Sequence, residues 1–337
     1  MNETTEDNNQ TDLTPEEINS RGGVPVKQQL ILVSVILLLI FGSTITNFLL
    51  KPKQNDTSTN DYYPATNVVQ DNKEKEIIEP FSEVSIVGTS AYVWDVNNQR
   101  ALYKKNETEE LPLASVTKLM TALLAHELLS ENEKVSIGNE SIRQDGDSNL
   151  LENEKFSRQT LSDLVLMSSS NDGAFALAVA AGDHIDAGGA NSFVKAMNVR
   201  AQEIGLNQTT FHNPTGLDLN KSKAGAYGTA KDMAFLMEYI LKNNPSILEL
   251  TSEESARIYS DDGFYHDAEN TNYYIEQIPN LIGSKTGYTD LAGGNLVIAY
   301  DAGLNRPIVI SVLGSTISNR FTDVVKLVEA TNNYLSQ

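Results

Sequence analysis

The chain has 337 residues, no cysteine, four histidines and a formal net charge of -20 at pH 7. That excludes disulfides, thiol catalysis and thiolate metal sites, and it makes nucleic acid and anionic surfaces poor partners. His126, His184, His212 and His266 lack paired-ligand spacing and no glycine-rich phosphate loop is present, so no metal or cofactor is expected.

Residues 1–27 hold six acids, two bases and little to bury, which reads as a disordered tail. Residues 28–50 contain no charged side chain. As a helix rising ~1.5 Å per residue they would cover roughly 35 Å, enough to cross a bilayer. A cleaved signal peptide is the rival. The long acidic stretch before the segment, with no small-x-small site after it, favours an uncleaved transmembrane helix. Arg21 and Lys27 balance Lys51 and Lys53, so flanking charge does not set its orientation. Residues 51–79 are polar and aperiodic, a flexible stem. A globular domain is expected over 80–337, and it holds most of the negative charge.

Ala91–Val96, Asn97-Asn98 and Ala101–Tyr103 read as a hairpin. A helix is predicted over 115–129, with Pro112 near its start and apolar positions 116, 119, 120, 123, 124 and 128 at helical spacing. Further helices are expected at Thr160–Met167, Ala174–Ala181, Ala190–Ile204 (ending at Gly205) and Thr229–Lys242. Strands follow at Leu281–Gly287, Gly294–Tyr300 and Pro307–Leu313, and Asn319–Leu335 closes as a helix. Strands at both ends with helices between predict one sheet completed by the two ends of the domain.

Ser115 and Lys118 are three residues apart, so their side chains share one helix face. A hydroxyl beside an amine at the start of an apolar helix points to nucleophilic chemistry, because a dehydrated lysine loses its proton readily and then serves as a base. Ser-x-x-Lys also occurs at Ser192–Lys195, where Lys195 belongs to a solvated helix face. The first copy differs in its company. Ser169-Ser-Asn171 follows it by 54 residues and Lys285-Thr-Gly287 by a further 116. Ser-x-Asn recurs at Ser58 and Ser130, whereas Lys-Thr-Gly occurs once.

This ordered trio is the signature of penicillin-binding proteins and serine β-lactamases. Its flanks sharpen the match: Leu-Ala-Ser-Val-Thr-Lys-Leu-Met-Thr-Ala, Ser-Asn-Asp-Gly-Ala, Phe211-His-Asn-Pro-Thr-Gly-Leu-Asp218, Ala230-Lys-Asp-Met-Ala234 and Lys285-Thr-Gly-Tyr-Thr-Asp-Leu-Ala-Gly-Gly-Asn-Leu-Val297. From about Val84 to Leu335 the chain resembles the serine-type D-alanyl-D-alanine carboxypeptidases, the low-molecular-mass penicillin-binding proteins. The resemblance implies an α/β (α+β), β-lactamase/transpeptidase-like fold, an antiparallel sheet flanked by helices with a helical subdomain. It implies hydrolysis of the terminal D-alanyl-D-alanine bond of peptidoglycan stem peptides, with covalent inhibition by β-lactam antibiotics.

By the same resemblance Ser115 is the nucleophile, Lys118 the base and Ser169 a proton relay to the leaving amine. Asn171 bonds lysine and substrate, and Lys285 and Thr286 bind the terminal carboxylate. Gly287 completes that motif, and backbone N–H groups of Ser115 and Tyr288 form an oxyanion hole. Arg320 resembles a carboxylate-binding arginine, with a surface salt bridge as its rival. The departures are Ser170, where Gly or Ala is common, and Tyr288, where some members carry His. The β-rich domain and C-terminal amphipathic anchor of many members are not expected in a chain that ends at Gln337. The substrate lies outside the cytoplasm, so a single-pass protein of the cell membrane is expected, with residues 1–27 inside and the catalytic domain outside. A β-lactamase, a wall endopeptidase and an inactive wall-binding protein are the alternatives. Glu203-Ile-Gly-Leu-Asn207 formally matches the lactamase Glu-x-x-Leu-Asn loop, but the stripe Phe193, Met197, Ala201 and Ile204 puts Glu203 in the last turn of a helix.

Overall fold

Alternating side chains decide where the main sheet sits. In a computed structural model, residues 80–146 and 148–337 are described, all within one compact unit, Lys75–Gln337. The expected tail, span and stem lie outside the described residues. Among those described, no helix is long and apolar enough to cross a membrane.

In chain order come β1 (Ser90–Asp95), β2 (Arg100–Lys105), β3 (Leu111–Pro112) and α1 (Lys118–Leu128). Next are β4 (Lys134–Ser136), β5 (Lys155–Ser157), α2 (Arg158–Met167), α3 (Asn171–Asp186) and α4 (Gly189–Glu203). Then follow β6 (Thr210–Phe211), β7 (Ala226–Gly228), α5 (Ala230–Asn243), β8 (Ser255–Tyr259) and β9 (Tyr265–Glu269). The chain closes with β10 (Leu281–Thr289), β11 (Gly293–Asp301), β12 (Pro307–Ser315) and α6 (Asn319–Leu335).

The antiparallel five-stranded sheet runs β10-β11-β12-β1-β2, so the two ends of the domain do complete one sheet. Both of its faces are covered. Ala91, Val93, Leu296, Ile298 and Tyr300 face α6 through Phe321, Val324, Leu327 and Val328. Their neighbours Tyr92, Trp94, Val297 and Ala299 face the helical side, where α1 and α5 pack. A period of two with both faces buried explains why these strands read as nearly continuous apolar runs. Each large α6 side chain so buried contributes about 1.5–3 kcal/mol.

Several helix caps match the sequence. Ser157 Oγ accepts from Thr160 N–H, Ser170 Oγ from Gly173 N–H and Thr229 Oγ1 from Asp232 N–H. The helix expected at Thr160 therefore starts at Arg158, two residues earlier. The start of α1 needs a larger correction. Pro112 is not helical: Leu111 and Pro112 pair with Gly228 and Tyr227, and the Leu113 N–H donates to Ala226 O. Ala114 has φ 48°, which an α-helix excludes, and a 3₁₀ turn, Ala114–Thr117, leads into α1. Missed in the sequence were the short strands β3 to β9, whose lengths of two to five residues carry little periodicity.

Candidate active site

Ser115 sits in the 3₁₀ turn, half-buried, and Lys118 opens α1 with no exposed surface. Lys118 Nζ lies 2.8 Å from Ser115 Oγ, 2.7 Å from Asn171 Oδ1 and 2.8 Å from Thr215 O. A neutral amine has two N–H groups and one lone pair. The two carbonyl oxygens take the N–H groups and leave the lone pair for the Ser115 hydroxyl. Burial pushes the Lys118 pKa well below the ordinary lysine range, and the nearby Lys285 cation adds to that. No acid lies within ion-pair distance of Lys118 among the described residues.

The amine's partners are themselves held. Asn171 is the first residue of α3, and its Nδ2 donates to Asp145 O at 2.6 Å, which fixes the amide so that Oδ1 faces the lysine. Thr215 belongs to the Asn213-Pro-Thr-Gly216 loop. Asn213 Oδ1 accepts from Gly216 N–H at 2.7 Å, and Thr121 Oγ1 donates to Pro214 O at 2.7 Å. Gly216 has φ 80°, and a Cβ there would meet Ala114 O at 1.9 Å, so only glycine lets this loop lie against the nucleophile's turn.

Lys285, Thr286 and Gly287 lie on β10 and are buried. Lys285 Nζ donates to Thr286 O at 3.1 Å, and Thr286 Oγ1 is 2.6 Å from Thr271 Oγ1. Burial, with the Arg320 charge second, brings the Lys285 pKa down to about 7. A Cβ on Gly287 would come within 2.8 Å of Leu113 O and 3.1 Å of Ser115 N, which sets β10 directly against the 3₁₀ turn. Tyr288 follows with its side chain 47% exposed.

Arg320, second residue of α6, is buried and Nη1 donates to Gly287 O at 2.7 Å. It forms no ion pair with any described acid, and its Nε has no partner there. The surface salt bridge is thereby set aside. Lys285 and Arg320 thus bring two buried basic side chains to one end of β10, neither in an ion pair with a described acid.

Ser169 lies between α2 and α3 at φ 64°, half-buried, and its hydroxyl has no hydrogen-bond partner among the described residues. Such a φ costs a non-glycine residue about 1–3 kcal/mol, and it occurs both at Ala114, next to Ser115, and at Ser169, two residues before Asn171. Ser192 and Lys195, by contrast, lie on α4, with Ser192 buried and Lys195 exposed.

Three contributors make contacts that the sequence does not show, although Thr215 and Asn295 stand within two of the quoted blocks. Thr215 acts through a backbone carbonyl, which no residue type encodes. Thr271 gains its meaning only by touching Thr286. Asn295 is fully buried on β11: Nδ2 donates to Pro112 O at 2.9 Å and to Leu113 O at 3.0 Å, and Oδ1 accepts from Gly314 N–H at 2.8 Å. It ties the sheet to the segment that enters the nucleophile's turn.

The family model described as D-alanyl-D-alanine carboxypeptidase (peptidase S11) matches residues 76–316. D-alanyl-D-alanine carboxypeptidase DacF of Bacillus subtilis is 33% identical over 256 residues, 74% of this chain and 63% of that protein. A D-alanyl-D-alanine endopeptidase of Escherichia coli is 32% identical over 237 residues, 69% of this chain and 73% of that protein. The chain thus spans under two thirds of the first relative's length and about three quarters of the second's. Among solved structures, penicillin-binding protein D2 of Listeria monocytogenes in its ampicillin-bound form has a TM-score of 0.63 and 31% identity, covering 73% of this chain and 97% of that one. A Streptomyces K15 DD-transpeptidase variant, at 23% identity and TM-score 0.65, shares the fold. The chain belongs to the D-alanyl-D-alanine carboxypeptidase family, and its fold is that of the penicillin-binding proteins.

Proposed function

We propose that this protein is a serine peptidase that releases the terminal D-alanine from peptidoglycan stem peptides ending in D-alanyl-D-alanine. The observation that carries this is the buried Lys118 amine, 2.8 Å from Ser115 Oγ and without an acid partner among the described residues. Lys118 Nζ takes the hydroxyl proton as Ser115 Oγ bonds to the carbonyl carbon of the penultimate D-alanine. The N–H groups of Ser115 and Tyr288 receive the oxyanion. The C–N bond then breaks, and the departing amine takes up a proton through Ser169. Water hydrolyses the resulting ester and frees Ser115. Lys285, Thr286 and Arg320 hold the substrate's terminal carboxylate, and Asn171 orients its amide.

A β-lactam amide mimics the bond that is cut, so fluorescent penicillin should label the protein covalently at Ser115. Labelling that persists in Ser115→Ala would overturn the nucleophile. Free D-alanine released from a D-Ala-D-Ala-terminated peptide is the matching readout of turnover. An endopeptidase reading has support from relatives of that name in E. coli and Pseudomonas aeruginosa, at 32% and 33% identity. It uses the same acyl step with a different leaving amine, and a cross-linked dimeric peptide distinguishes the two.

A β-lactamase is disfavoured by Glu203. It ends α4, is 55% exposed and pairs with Arg200 at 2.9 Å, with no hydrogen bond to Ser115, Lys118 or Asn171. A deacylating base must lie within ~3 Å, or one water, of its proton. Glu203→Gln should therefore leave D-alanine release and penicilloyl-enzyme lifetime within about twofold of the unaltered protein. Rapid penicillin hydrolysis that collapses in this variant would restore the lactamase reading.

The uncharged stretch 28–50 supports a single-pass anchor, with the catalytic domain outside the cell membrane where stem peptides occur. External protease on intact cells should cut at the stem and spare residues 1–27; loss of the tail with an intact catalytic domain would reverse the topology.

A further inference from the structure

One carboxylate fastens the turn between β10 and β11 from outside the sheet. Asp218 ends the 213–218 loop, is half-buried and forms no ion pair among the described residues. Its Oδ1 accepts from the Thr289 hydroxyl at 3.0 Å, and its Oδ2 accepts from the Leu291 N–H at 3.4 Å. Thr289 Oγ1 in turn accepts from the Ala292 N–H at 3.1 Å. A hydroxyl has one hydrogen to give, and an N–H can only donate, so the Thr289 hydrogen goes to the carboxylate. Asp218 thereby holds the last residue of β10 and the turn 290–292 together.

Both partners lead directly to the reacting groups. Asp218 stands three residues after Thr215, whose carbonyl takes a hydrogen from Lys118. The loop between them is stiffened from within: Asn213 Nδ2 donates to Leu217 O at 2.8 Å, and the Leu217 N–H donates to Thr215 Oγ1 at 3.2 Å. On the other side, Thr289 follows Tyr288, whose N–H is assigned above to the oxyanion, and Gly287, which lies against Ser115 N. β10 is an edge strand and pairs only with β11. With no second ladder, the placement of its last residues against Ser115 and Lys118 depends on side-chain contacts. Asp218 supplies one that joins the loop holding the base to the strand holding the oxyanion donor.

We infer that Asp218 is a positioning residue: through Thr289 it fixes the end of β10, and with it the Tyr288 N–H, relative to the Lys118–Ser115 pair. The inference rests on the peptidase reading above. Asp218 and Thr289 make no hydrogen bond to Ser115 or Lys118, so the contact acts on the rate of acylation and leaves the base as it is.

The test compares penicillin acylation of the full chain with that of Asp218→Ala, Thr289→Val, Thr289→Ser and the Asp218→Ala/Thr289→Val double variant. Asp218→Ala and Thr289→Val should each slow acylation about tenfold, the scale of a misplacement by a fraction of an ångström. The double variant should be no slower than either, because both changes remove one contact. Thr289→Ser keeps the hydroxyl and should stay within about twofold of the unaltered protein. A role in strand stability alone gives the reverse order, since valine suits a strand better than serine does. The acid limb of the pH profile should stay in place in all four variants, because Asn171 Oδ1 and Thr215 O still hold Lys118. Additive losses, a Thr289→Val protein as fast as Thr289→Ser, or a limb that moves would overturn the positioning role. Should Asp218→Ala fail to fold, the two Thr289 variants decide it. Amide hydrogen exchange is followed in parallel. If penicillin does not acylate even the unaltered protein, the peptidase reading fails, and exchange still decides what Asp218 holds: faster exchange confined to residues 287–293 in Asp218→Ala and Thr289→Val supports the contact, and unchanged exchange overturns it.

Discussion

Lys118→Ala should acylate with penicillin at least ~100-fold more slowly than the unaltered protein while remaining folded, the scale of lost general-base catalysis. The argument is geometric first. Nζ has three neighbours, and two of them, Asn171 Oδ1 and Thr215 O, can only accept. The third, Ser115 Oγ, is the one that can give a proton. Alanine removes the acceptor for that proton and leaves the buried Thr215 carbonyl without its donor, a stability cost of about 1–3 kcal/mol, with a smaller cost at the half-buried Asn171 amide. Circular dichroism and the penicillin time course, measured on one preparation, separate slow chemistry from misfolding. Unchanged acylation in Lys118→Ala, together with its loss in Ser169→Ala, would move the base to Ser169.

The same arrangement fixes the sign of the pH response. Burial and the Lys285 charge lower the Lys118 pKa, so its working neutral form dominates above that lowered value and acylation falls as pH drops through it. In the proposed mechanism Lys285 titrates in the opposite sense, since it must be charged to hold a carboxylate. Its pKa of about 7 means that kcat/KM should decline as pH rises through that region in the free enzyme. Lys285→Met removes a cation that helps keep Lys118 neutral. The acid limb of penicillin acylation should then move to higher pH. A limb that stays in place would show that burial alone sets the Lys118 pKa.

The sheet and the site were legible in the sequence to different depths. Both faces of β1, β11 and β12 are apolar, so composition alone marked them, and the two ends of the domain do meet. The pair Ser115 and Lys118 follows from spacing, because three residues along a helix or a 3₁₀ turn bring side chains to one side. Lys285 and Asn171 were named by motif, but only the fold shows that Asn171 Oδ1 is aimed at the amine because Asp145 O holds the other end of the amide. Pro112 misled because a proline suited to open a helix also suits a short strand, and the choice was made by β7, more than a hundred residues away. The contacts of Thr215 and Thr271 were hidden for the same reason: they are made between segments far apart or not yet placed, through a carbonyl and a lone hydroxyl.

Asn295→Asp should be the most damaging single change outside the reacting groups. Asn295 uses both of its Nδ2 hydrogens on Pro112 O and Leu113 O, and its Oδ1 on Gly314 N–H, with no exposed surface. Aspartate keeps the shape but turns the two donors into an oxygen facing two carbonyl oxygens. If ionised it is a buried charge without a cation; if protonated it can replace only one of the two donated bonds. Removing one partner of a buried polar set costs about 1–3 kcal/mol, and an uncompensated buried charge about 3–5 kcal/mol. For a domain of this size that corresponds to a fall of roughly 5–15 °C in Tm. Asn295→Ala avoids the repulsion and should fall between the two proteins. The effect on chemistry follows from what the bonds hold. Leu113 O lies where a Cβ on Gly287 would meet it at 2.8 Å, and Ala114 follows at φ 48° before Ser115. Freeing Leu113 lets that turn relax, so penicillin acylation at a temperature where Asn295→Ala is fully folded should slow by about tenfold or more, as expected when a nucleophile is mispositioned by a fraction of an ångström. A variant that loses stability yet acylates at the full rate would show that Asn295 only holds the fold and does not position Ser115.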